Sequence, residues 1–265
     1  MYPKGLTACV ASFLRRAVLR AYDTVLPHRT KKRIQEIAWN QFGRFWTPSL
    51  IRRLKDESKG LDSVEKAVDF VLSFGYLGTT IAPLQKREEI VNLLQLMASL
   101  KSETVLEIGT ANGGTLFLFT RVASDDALLL SMDLPKTPTE GGYPPRMVPV
   151  FESFATRGQK IDLILADSHK ASTLDELRSR LKDRMIDVLF IDGDHSYAGV
   201  RKDFEMYSPL VREGGIIAFH DTVEHDPGSG CEVERFWKEI KGSYKHDEFT
   251  SQPELRWGGI GVLWK

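Results

Sequence analysis

The segment Thr104–Thr115 reads TVLEIGTANGGT and decides the fold class. It starts with a short β-rich apolar run, Thr104–Ile108, turns at Gly109, and leads into a helical stretch over Thr115–Val122. A strand that passes through a glycine-rich turn into a helix is typical of α/β proteins, and the helix N-terminus offers free N–H groups to a ligand. We therefore predict a strand–loop–helix unit at the start of an α/β sheet.

Four more apolar runs follow, and each ends at an acidic residue or a His-Asp pair. They are Leu128–Met132 before Asp133, Ile161–Ala166 before Asp167, Ile186–Ile191 before Asp192, and Gly215–Phe219 before His220-Asp221. Helix-like segments separate them, at Met147–Thr156, Ala171–Leu181 and Tyr197–Leu210. This pattern predicts parallel strands covered on both faces, with ligands beyond the carboxyl ends of the strands. Five strand ends should therefore converge on one cleft.

Composition excludes several classes of protein. The 265 residues are 42% hydrophobic and 27% charged, which fits a globular chain and excludes a disordered or fibrous one. The net charge of +0 gives no reason to expect nucleic acid as a partner. Two cysteines, Cys9 and Cys231, are too few for a disulfide scaffold, so we expect a cytoplasmic location. No apolar run reaches the ~20 residues that a membrane span needs.

Charge is concentrated at the N-terminus. Residues 1–60 carry thirteen lysines and arginines against four acids, and the basic residues follow the apolar stretch Leu6–Leu14, which excludes a secretory signal. The apolar spacing over Phe13–Val25 predicts an amphipathic helix, which either binds a membrane surface or partner or, as we favour, covers the main domain or forms an oligomer interface. With further helices predicted over Glu65–Phe74 and Pro83–Leu100, residues 1–100 should form a helical extension or lid and residues 101–265 the ligand-binding domain.

The glycine loop differs from a dinucleotide loop. Glu107–Gly114 has the pattern E-x-G-x-x-x-G-G instead of G-x-G-x-x-G, which disfavours a nicotinamide enzyme. The Glu107 carboxylate would repel a pyrophosphate, but it suits an aminoacyl ammonium group. Asp133, 24 residues after Gly109, suits an acid that accepts ribose hydroxyls. The alternative is a tight turn without a ligand.

Taken together, VLEIGTANGG, the strand-end Asp133, LILADS, VLFIDGDHSY and GGIIAFHDT resemble class I S-adenosylmethionine-dependent methyltransferases. The nearest resemblance is to small-molecule O-methyltransferases of the catechol type and to bacterial enzymes that methylate sugars and secondary metabolites. It covers residues 101–265 and implies a doubly wound, mostly parallel seven-stranded sheet, with Gly258–Trp264 as its late antiparallel strand. It also implies O-methylation of a small hydroxylated acceptor.

The resemblance assigns the cofactor-binding residues. The methionine part of the cofactor would lie at the loop, the ribose at Asp133 and the adenine at the end of the third strand. The residues expected to bind S-adenosylmethionine are Glu107, Gly109, Thr110, Gly113, Gly114, Asp133, Asp167, Ser168 and Asp192. For Asp167, the alternative is a role as N-cap of the helix from Ala171 onward.

An acid–histidine pattern follows the fourth and fifth strands. Adjacent strands lie about 4.8 Å apart, so Asp192 and Asp221 could reach one cation such as Mg²⁺, which prefers oxygen ligands. The resemblance implies such a site, with Asp192, His220 and Asp221 as ligands. However, His220 stands where the sugar methyltransferases have an acid, and Thr222 where the catechol type has Asn, so the identity and presence of the metal stay open. Alternatively, the two aspartates cap helices or bind substrate directly.

His195, three residues after Asp192, is the predicted general base, because an imidazole can accept a proton near neutral pH. Asp192 is the second predicted catalytic residue. Asp194 would orient His195 or cap the helix from Tyr197 onward. His225 is predicted to be a lid or substrate residue.

Other interpretations remain open at this point. His195, His220 and a carboxylate would match a non-haem iron oxygenase. A non-catalytic scaffold that docks through the basic N-terminus is another. The expected partners are a small-molecule acceptor and a second copy of the chain, and four aromatic residues are candidates to line the acceptor pocket: Tyr143, Phe236, Trp237 and Trp257.

Overall fold

A computed structural model describes residues 46–136 and 141–265. The chain divides into two compact units, Met1–Pro48 and Ser49–Lys265, and nearly all described residues belong to the second. The predicted helix over Phe13–Val25 and most of the basic segment lie outside the described residues. Within the described residues, no helix is long and apolar enough to cross a membrane.

The second unit is built around a seven-stranded sheet. The strands, including a small separate hairpin, are β1 Gly75–Tyr76, β2 Thr79–Thr80, β3 Thr104–Ile108, β4 Leu128–Asp133, β5 Lys160–Leu165, β6 Ile186–Ile191, β7 Val211–His220, β8 Lys245–Phe249 and β9 Ile260–Trp264. The sheet order is β5-β4-β3-β6-β7-β9-β8. Strand β9 pairs antiparallel with both of its neighbours, β7 and β8, and all other pairs in this sheet are parallel. This topology confirms the predicted doubly wound, mostly parallel fold.

Helices cover both faces of the sheet, as the apolar strands require. They are α1 Val64–Ser73, α2 Arg87–Leu100, α3 Gly114–Val122, α4 Val148–Glu152, α5 Ala171–Leu181, α6 Tyr197–Tyr207 and α7 Val233–Ile240, and residues 46–57 are helical as well. Every residue of β3 and β6 is buried. The strands at the centre of the sheet are therefore part of the hydrophobic core.

Several predicted boundaries differ from the structure by one to four residues. The helix predicted over Met147–Thr156, for example, spans only Val148–Glu152. Helix α2 begins at Arg87, not at Pro83, because residues 81–86 run as an irregular segment whose side chains reach distant parts of the fold. Strand β7 begins at Val211, not at Gly215, because Val211 pairs with Ile186 before a bulge in the β6–β7 ladder. The extra residues of β7 lie beside the start of β6, at the amino edge of the parallel strands.

The register of the parallel strands aligns their carboxyl ends. Ile108 at the end of β3 lies opposite Met132 of β4 on one side and Ile191 of β6 on the other. Backbone bonds continue past the strands, from Gly109 N–H to Met132 O and from Asp192 N–H to Ile108 O, at 2.9 and 2.8 Å. The residues that follow these strands therefore share one edge, as predicted.

The compact units do not coincide with the predicted division at residue 100. Residues 49–100 belong to the same unit as the sheet because they pack against it and its helices. The rings of Phe70 on α1 and Phe117 on α3 have centroids 5.5 Å apart, and Asn112 Nδ2 donates to Ala82 O at 3.2 Å. The function predicted for residues 1–100, a lid or interface, stays a prediction.

Candidate active site

The glycine loop joins β3 to α3 at the carboxyl edge. Gly109 has a φ of +98°, and a Cβ there would overlap the carbonyl oxygen of Asp192. Gly113 is the N-cap of α3, and a Cβ on Gly114 would overlap the carbonyl oxygen of Ile81. These glycines are thus required by close approach of the chain's own segments. The consequence is that the loop is pressed directly against the end of β6.

Glu107 lies beneath this loop and is completely buried. Ser131 Oγ donates to Glu107 Oε2 at 2.5 Å, and Thr110 Oγ1 lies 2.6 Å from Ser131 Oγ. The other carboxylate oxygen, Oε1, has no hydrogen-bond partner among the described residues. Burial raises the pKa of Glu107 to about 8, although its hydroxyl neighbours lower it. A buried carboxyl with one unused oxygen is ready to bind a cationic or hydrogen-donating group.

Asp133 ends β4 and binds the glycine loop. Its Oδ2 accepts the Ala111 N–H and its Oδ1 accepts the Leu134 N–H, both at 2.7 Å. Burial raises the pKa of Asp133, and these backbone bonds lower it in part. Each carboxylate oxygen has two lone pairs, so both oxygens keep capacity for the ribose hydroxyls that the sequence assigned to this residue.

Asp167 and Ser168 follow β5 on the same edge. The Asp167 carboxylate accepts the His169 N–H at 2.9 Å, while the N-cap of α5 is Lys170, so the alternative role of Asp167 as N-cap is wrong. Ser168 accepts the Tyr207 hydroxyl on its carbonyl oxygen at 2.6 Å. The Asp167 side chain is partly exposed and thus open to a ligand.

The predicted acid–histidine residues form one cluster, which we call the Asp192–Asp221 cluster: Asp192, His195, His220, Asp221 and His225. Asp192 Oδ1 lies 3.1 Å from His220 Nδ1 and 3.3 Å from His195 Nε2. Asp221 is 3.3 Å from His195 Nδ1, 3.3 Å from His220 Nδ1 and 3.2 Å from His225 Nε2. Neither aspartate caps a helix, because Ser196 is the N-cap of α6 and accepts the Gly199 N–H. Parallel pairing of β6 with β7 thus brings both strand ends together, as the sequence predicted.

Close contacts within the cluster shift the pKa values of His220, Asp221, Asp192 and His195. Burial alone would lower the pKa of His220, but the two carboxylates raise it to about 10. Burial alone would raise the pKa of Asp221, but its histidine neighbours lower it to about 2, and His220 and His195 likewise lower the pKa of Asp192 against the effect of burial. The hydrogen bond that His195 donates to Asp192 raises the pKa of His195, and burial opposes this rise. Opposite charges held this close identify the cluster as a functional candidate.

Backbone geometry also marks the cluster. Asp221 adopts a left-handed conformation with φ of +62°, which costs energy for a residue other than glycine. Its Oδ1 accepts the Gly258 N–H at 3.2 Å, which fixes the side chain. A strained backbone conformation of this kind persists only where the surrounding structure holds it, and such residues are frequent at functional sites.

Sequence reasoning missed Gln85, which precedes α2. Its Nε2 donates to Asp192 Oδ2 at 2.6 Å, and the residue is only 4% exposed. Its Oε1 is buried and has no partner within the described part of the chain. Gln85 therefore orients Asp192 from the side opposite the histidines.

A buried ion pair at the start of α2 contacts residues 251–259, which lie next to Asp221. Lys86 and Glu89 lie 3.8 Å apart and are almost fully buried. Glu89 accepts the Ser251 and Gly259 N–H groups, both at 2.8 Å, and Lys86 Nζ donates to Ser251 O at 2.6 Å. Residues 251–259 are thereby held against the end of β7, where Gly258 contacts Asp221.

Other predicted residues have different places. Asp194 accepts the N–H of Ser196 at 2.9 Å, but Ser196 is itself the N-cap of α6, so the alternative role of Asp194 as N-cap is wrong. The two ring nitrogens of His195 face Asp192 and Asp221 instead of Asp194. Phe236, Trp237 and Tyr143 are 1–2% exposed and belong to the core, whereas Trp257 is 39% exposed and has Lys86 Nζ 4.9 Å from its ring centroid. Of the four aromatic candidates, only Trp257 is available to a substrate.

Residues 106–222, which include the glycine loop and all of the Asp192–Asp221 cluster except His225, match the model of a protein family described as a methyltransferase domain. The chain contains a methyltransferase domain. This match confirms the predicted resemblance to methyltransferases. It covers every residue predicted to be catalytic, cofactor-binding or metal-binding, from Glu107 to Asp221.

Two curated relatives of this methyltransferase domain are themselves uncharacterized. One is protein y4gI of Sinorhizobium fredii, 31% identical over 91 residues, which covers 34% of this chain and 9% of that protein. The other is protein R132 of Acanthamoeba polyphaga mimivirus, 50% identical over 40 residues, which covers 15% of this chain and 18% of that protein. The matches thus span less than a fifth of either relative.

Solved structures share the fold of the methyltransferase domain. An O-methyltransferase from Bacillus cereus in complex with SAH is 18% identical, with a TM-score of 0.52 and coverage of 82% of this chain and 97% of that one. The O-methyltransferase TomG from Streptomyces achromogenes, involved in tomaymycin synthesis and in complex with SAM, is 16% identical, with a TM-score of 0.51 and coverage of 84% and 98%. At these identities the likeness shows the fold.

Proposed function

We propose that the protein transfers a methyl group from S-adenosylmethionine to a hydroxyl oxygen of a small acceptor, with a divalent cation at the Asp192–Asp221 cluster. The observation that carries the proposal is the contact between the glycine loop and the end of β6. Gly109 lies against the Asp192 carbonyl, and Asp192 N–H donates to Ile108 O at 2.8 Å. A methyl donor bound at the loop would therefore lie beside the histidines and carboxylates that would bind and deprotonate the acceptor.

The residues at the loop suit S-adenosylmethionine. The unpartnered Glu107 Oε1 would accept the ammonium group of the methionine part, and free N–H groups at the start of α3 would hold its carboxylate. Asp133 would accept the ribose hydroxyls, and Asp167 with Ser168 would meet the adenine. The solved structures of similar fold that hold SAM or SAH support this choice of cofactor.

The residues of the cluster suit activation of a hydroxyl. S-adenosylmethionine, when bound, supplies a methyl group on a positively charged sulfur. His195 is 41% exposed on its side chain and faces two carboxylates, so it would accept the acceptor's hydroxyl proton while the new O–C bond forms and the S–C bond breaks. Asp192 and Asp221 would stabilise the imidazolium. A cation held by Asp192, Asp221 and His220 would lower the pKa of the acceptor hydroxyl.

Replacing Asp133 with alanine tests the cofactor. The variant should bind S-adenosylhomocysteine more weakly by about 1–3 kcal/mol, because two hydrogen bonds of about 0.5–1.5 kcal/mol each are lost. Isothermal titration calorimetry measures the affinity. Asp125→Ala, an exposed acid before the same strand, is the matched control and should leave the affinity unchanged. Equal affinity in wild type and Asp133→Ala would refute the assignment of the loop as cofactor site.

Glu107 should make the stability of the ligand-free protein depend on pH. Its pKa is about 8 when folded and 4.5 in the reference state, so the folded protein holds the proton more tightly. Its favourable contribution is complete below pH 4.5 and is lost as pH rises toward 8, with a slope of up to about 1.4 kcal/mol per pH unit. Urea unfolding of wild type and Glu107→Gln at pH 5, 6, 7 and 8 should show a steeper decline for wild type. Parallel curves would show that Glu107 titrates normally.

The expected homo-oligomer, the small-molecule acceptor class, the cytoplasmic location and the role of the basic N-terminal segment stay predictions. The oxygenase and scaffold alternatives have no observation in their favour.

A further inference from the structure

We infer that the Asp192–Asp221 cluster binds a divalent transition-metal ion in preference to magnesium, with His220 Nδ1 and the carboxylates of Asp192 and Asp221 as ligands. The inference deepens the proposed function, on which it rests for the role of the site, because it names the class of cation. It contradicts the expectation of Mg²⁺ that the resemblance to known O-methyltransferases implies.

The spacing of the three ligand groups suits one ion. Ligand bonds of about 2.1 Å place neighbouring ligand atoms roughly 3.0–3.4 Å apart around a metal. His220 Nδ1 lies 3.1 Å from Asp192 Oδ1 and 3.3 Å from Asp221 Oδ1. One ring nitrogen facing two carboxylate oxygens has at most one proton to offer them, whereas a divalent cation satisfies all three ligand atoms.

The donor chemistry favours a transition metal. Imidazole is a good ligand for zinc, iron, cobalt and nickel, whereas magnesium prefers oxygen and dehydrates reluctantly. The His220 side chain is only 3% exposed, so it cannot swing away to let a water molecule replace it. A soft donor also lies next to the ligands, since the Cys231 thiol, His195 and Asp221 each offer an atom within 4.8 Å of the others. A site with a fixed nitrogen ligand and a thiol neighbour is poorly matched to magnesium.

Both carboxylates are held from outside the ligand set. Gln85 Nε2 donates to Asp192 Oδ2 at 2.6 Å, on the oxygen that does not face His220. His225 Nε2 lies 3.2 Å from Asp221 Oδ1, and its other ring nitrogen is 2.8 Å from Val223 O, which fixes the ring. Groups that hydrogen-bond to ligands in this way orient the first coordination shell of metal sites.

Metal titrations of the full chain test the inference without an acceptor. Protein treated with EDTA and dialysed is titrated in a calorimeter with Co²⁺, Zn²⁺, Mn²⁺ and Mg²⁺. We expect Co²⁺ and Zn²⁺ to bind at least about 100-fold more tightly than Mg²⁺, following the order of affinities for nitrogen-containing sites. Visible d–d absorption of the Co²⁺ protein should appear with one equivalent, and it reports nitrogen ligation independently of activity.

The His220→Asp variant should reverse the preference. Replacing the imidazole with a carboxylate should weaken Co²⁺ binding by about tenfold or more and should strengthen Mg²⁺ binding. His246→Asp, an exposed histidine on β8, is the matched control and should behave as wild type. Circular dichroism confirms that each variant is folded, and the wild-type titrations decide the inference even if His220→Asp does not fold.

Several results would overturn the inference. Mg²⁺ binding equal to or tighter than Co²⁺ would do so, as would the absence of binding by any of the four ions, which would show that the cluster is an ion-pair network. An unchanged preference in a folded His220→Asp variant would remove His220 from the ligand set. Calorimetry with S-adenosylhomocysteine is a separate test: its binding without the expected metal preference refutes only this inference, and its absence refutes the proposed function.

Discussion

Replacing His195 with alanine is expected to lower kcat for methyl transfer by about 10²–10⁴-fold, the contribution typical of a general base. The side chain is 41% exposed, which makes it the accessible histidine of the cluster beside the buried His220. Its two ring nitrogens each lie 3.3 Å from a carboxylate, of Asp192 and of Asp221. A proton taken from an acceptor would therefore be held on a ring whose positive charge is balanced on both sides.

The measurement uses labelled S-adenosylmethionine with a panel of phenols, sugars and polyketides to find an acceptor, followed by kinetics on that acceptor. S-adenosylhomocysteine affinity should stay within about twofold of wild type, because both ring nitrogens of His195 face Asp192 and Asp221 and not the glycine loop. For a phenolic acceptor, the activity of His195→Ala should partly recover at alkaline pH, because a phenol with a pKa of about 10 then ionises without a general base. A purely structural role would not produce this recovery.

His246→Ala serves as the control, because this exposed histidine lies on β8. Full activity of His195→Ala at neutral pH would leave Asp192 or a bound water as the base. A second readout separates the base from the metal: full activity of wild type after chelation would exclude the cation and leave the role of His195 intact.

The central sheet was predictable from sequence because each parallel strand contains a run of mostly apolar residues and ends next to a polar residue. β3 and β6 were placed residue for residue, at Thr104–Ile108 and Ile186–Ile191. The meeting of Asp192 with Asp221 was predictable as well, since strand ends in a parallel sheet share one edge. Local pattern thus determines both the sheet and the residues at its functional edge.

Gln85 was not predictable, although it contacts Asp192. The two residues are 107 positions apart, and the contact depends on how residues 81–86 pack across the start of α3. The sequence around Gln85 looks like the start of a helix, and an amide side chain there has no distinctive spacing. The true role of the glycines was hidden for the same reason, because the groups that a Cβ would strike belong to distant segments.

The ion pair between Lys86 and Glu89 was not predictable from sequence either, and breaking it is expected to have a large effect on stability. Replacing Lys86 with methionine is expected to lower the free energy of unfolding by about 3–5 kcal/mol, the range found when one partner of a buried pair is removed. The Glu89 carboxylate would remain completely buried without its cation, and the carbonyl oxygens of Ser251 and Gln252 would lose their donor. Urea unfolding of the full chain measures the change.

An exposed pair on the same protein provides the control. Arg53 and Glu57 lie 2.6 Å apart in the helical residues 46–57, with side chains that are 46% and 44% exposed. Glu57→Gln removes one partner of that pair and should cost at most about 1 kcal/mol, because water screens an exposed ion pair. A similar loss of unfolding free energy in both variants would show that the buried Lys86–Glu89 pair contributes no more to stability than the exposed pair.

A double variant separates charge from hydrogen bonding at this position. Lys86→Met combined with Glu89→Leu removes both charges, so it should be more stable than Lys86→Met alone. It should still be less stable than wild type, because the Ser251 and Gly259 N–H groups lose the Glu89 oxygens that accept them at 2.8 Å. Gly258 lies between Ser251 and Gly259 and donates to Asp221. We therefore also expect the double variant to bind Co²⁺ more weakly than wild type when no S-adenosylhomocysteine is present. Wild-type stability of the double variant would show that residues 251–259 hold their place near Asp221 without α2.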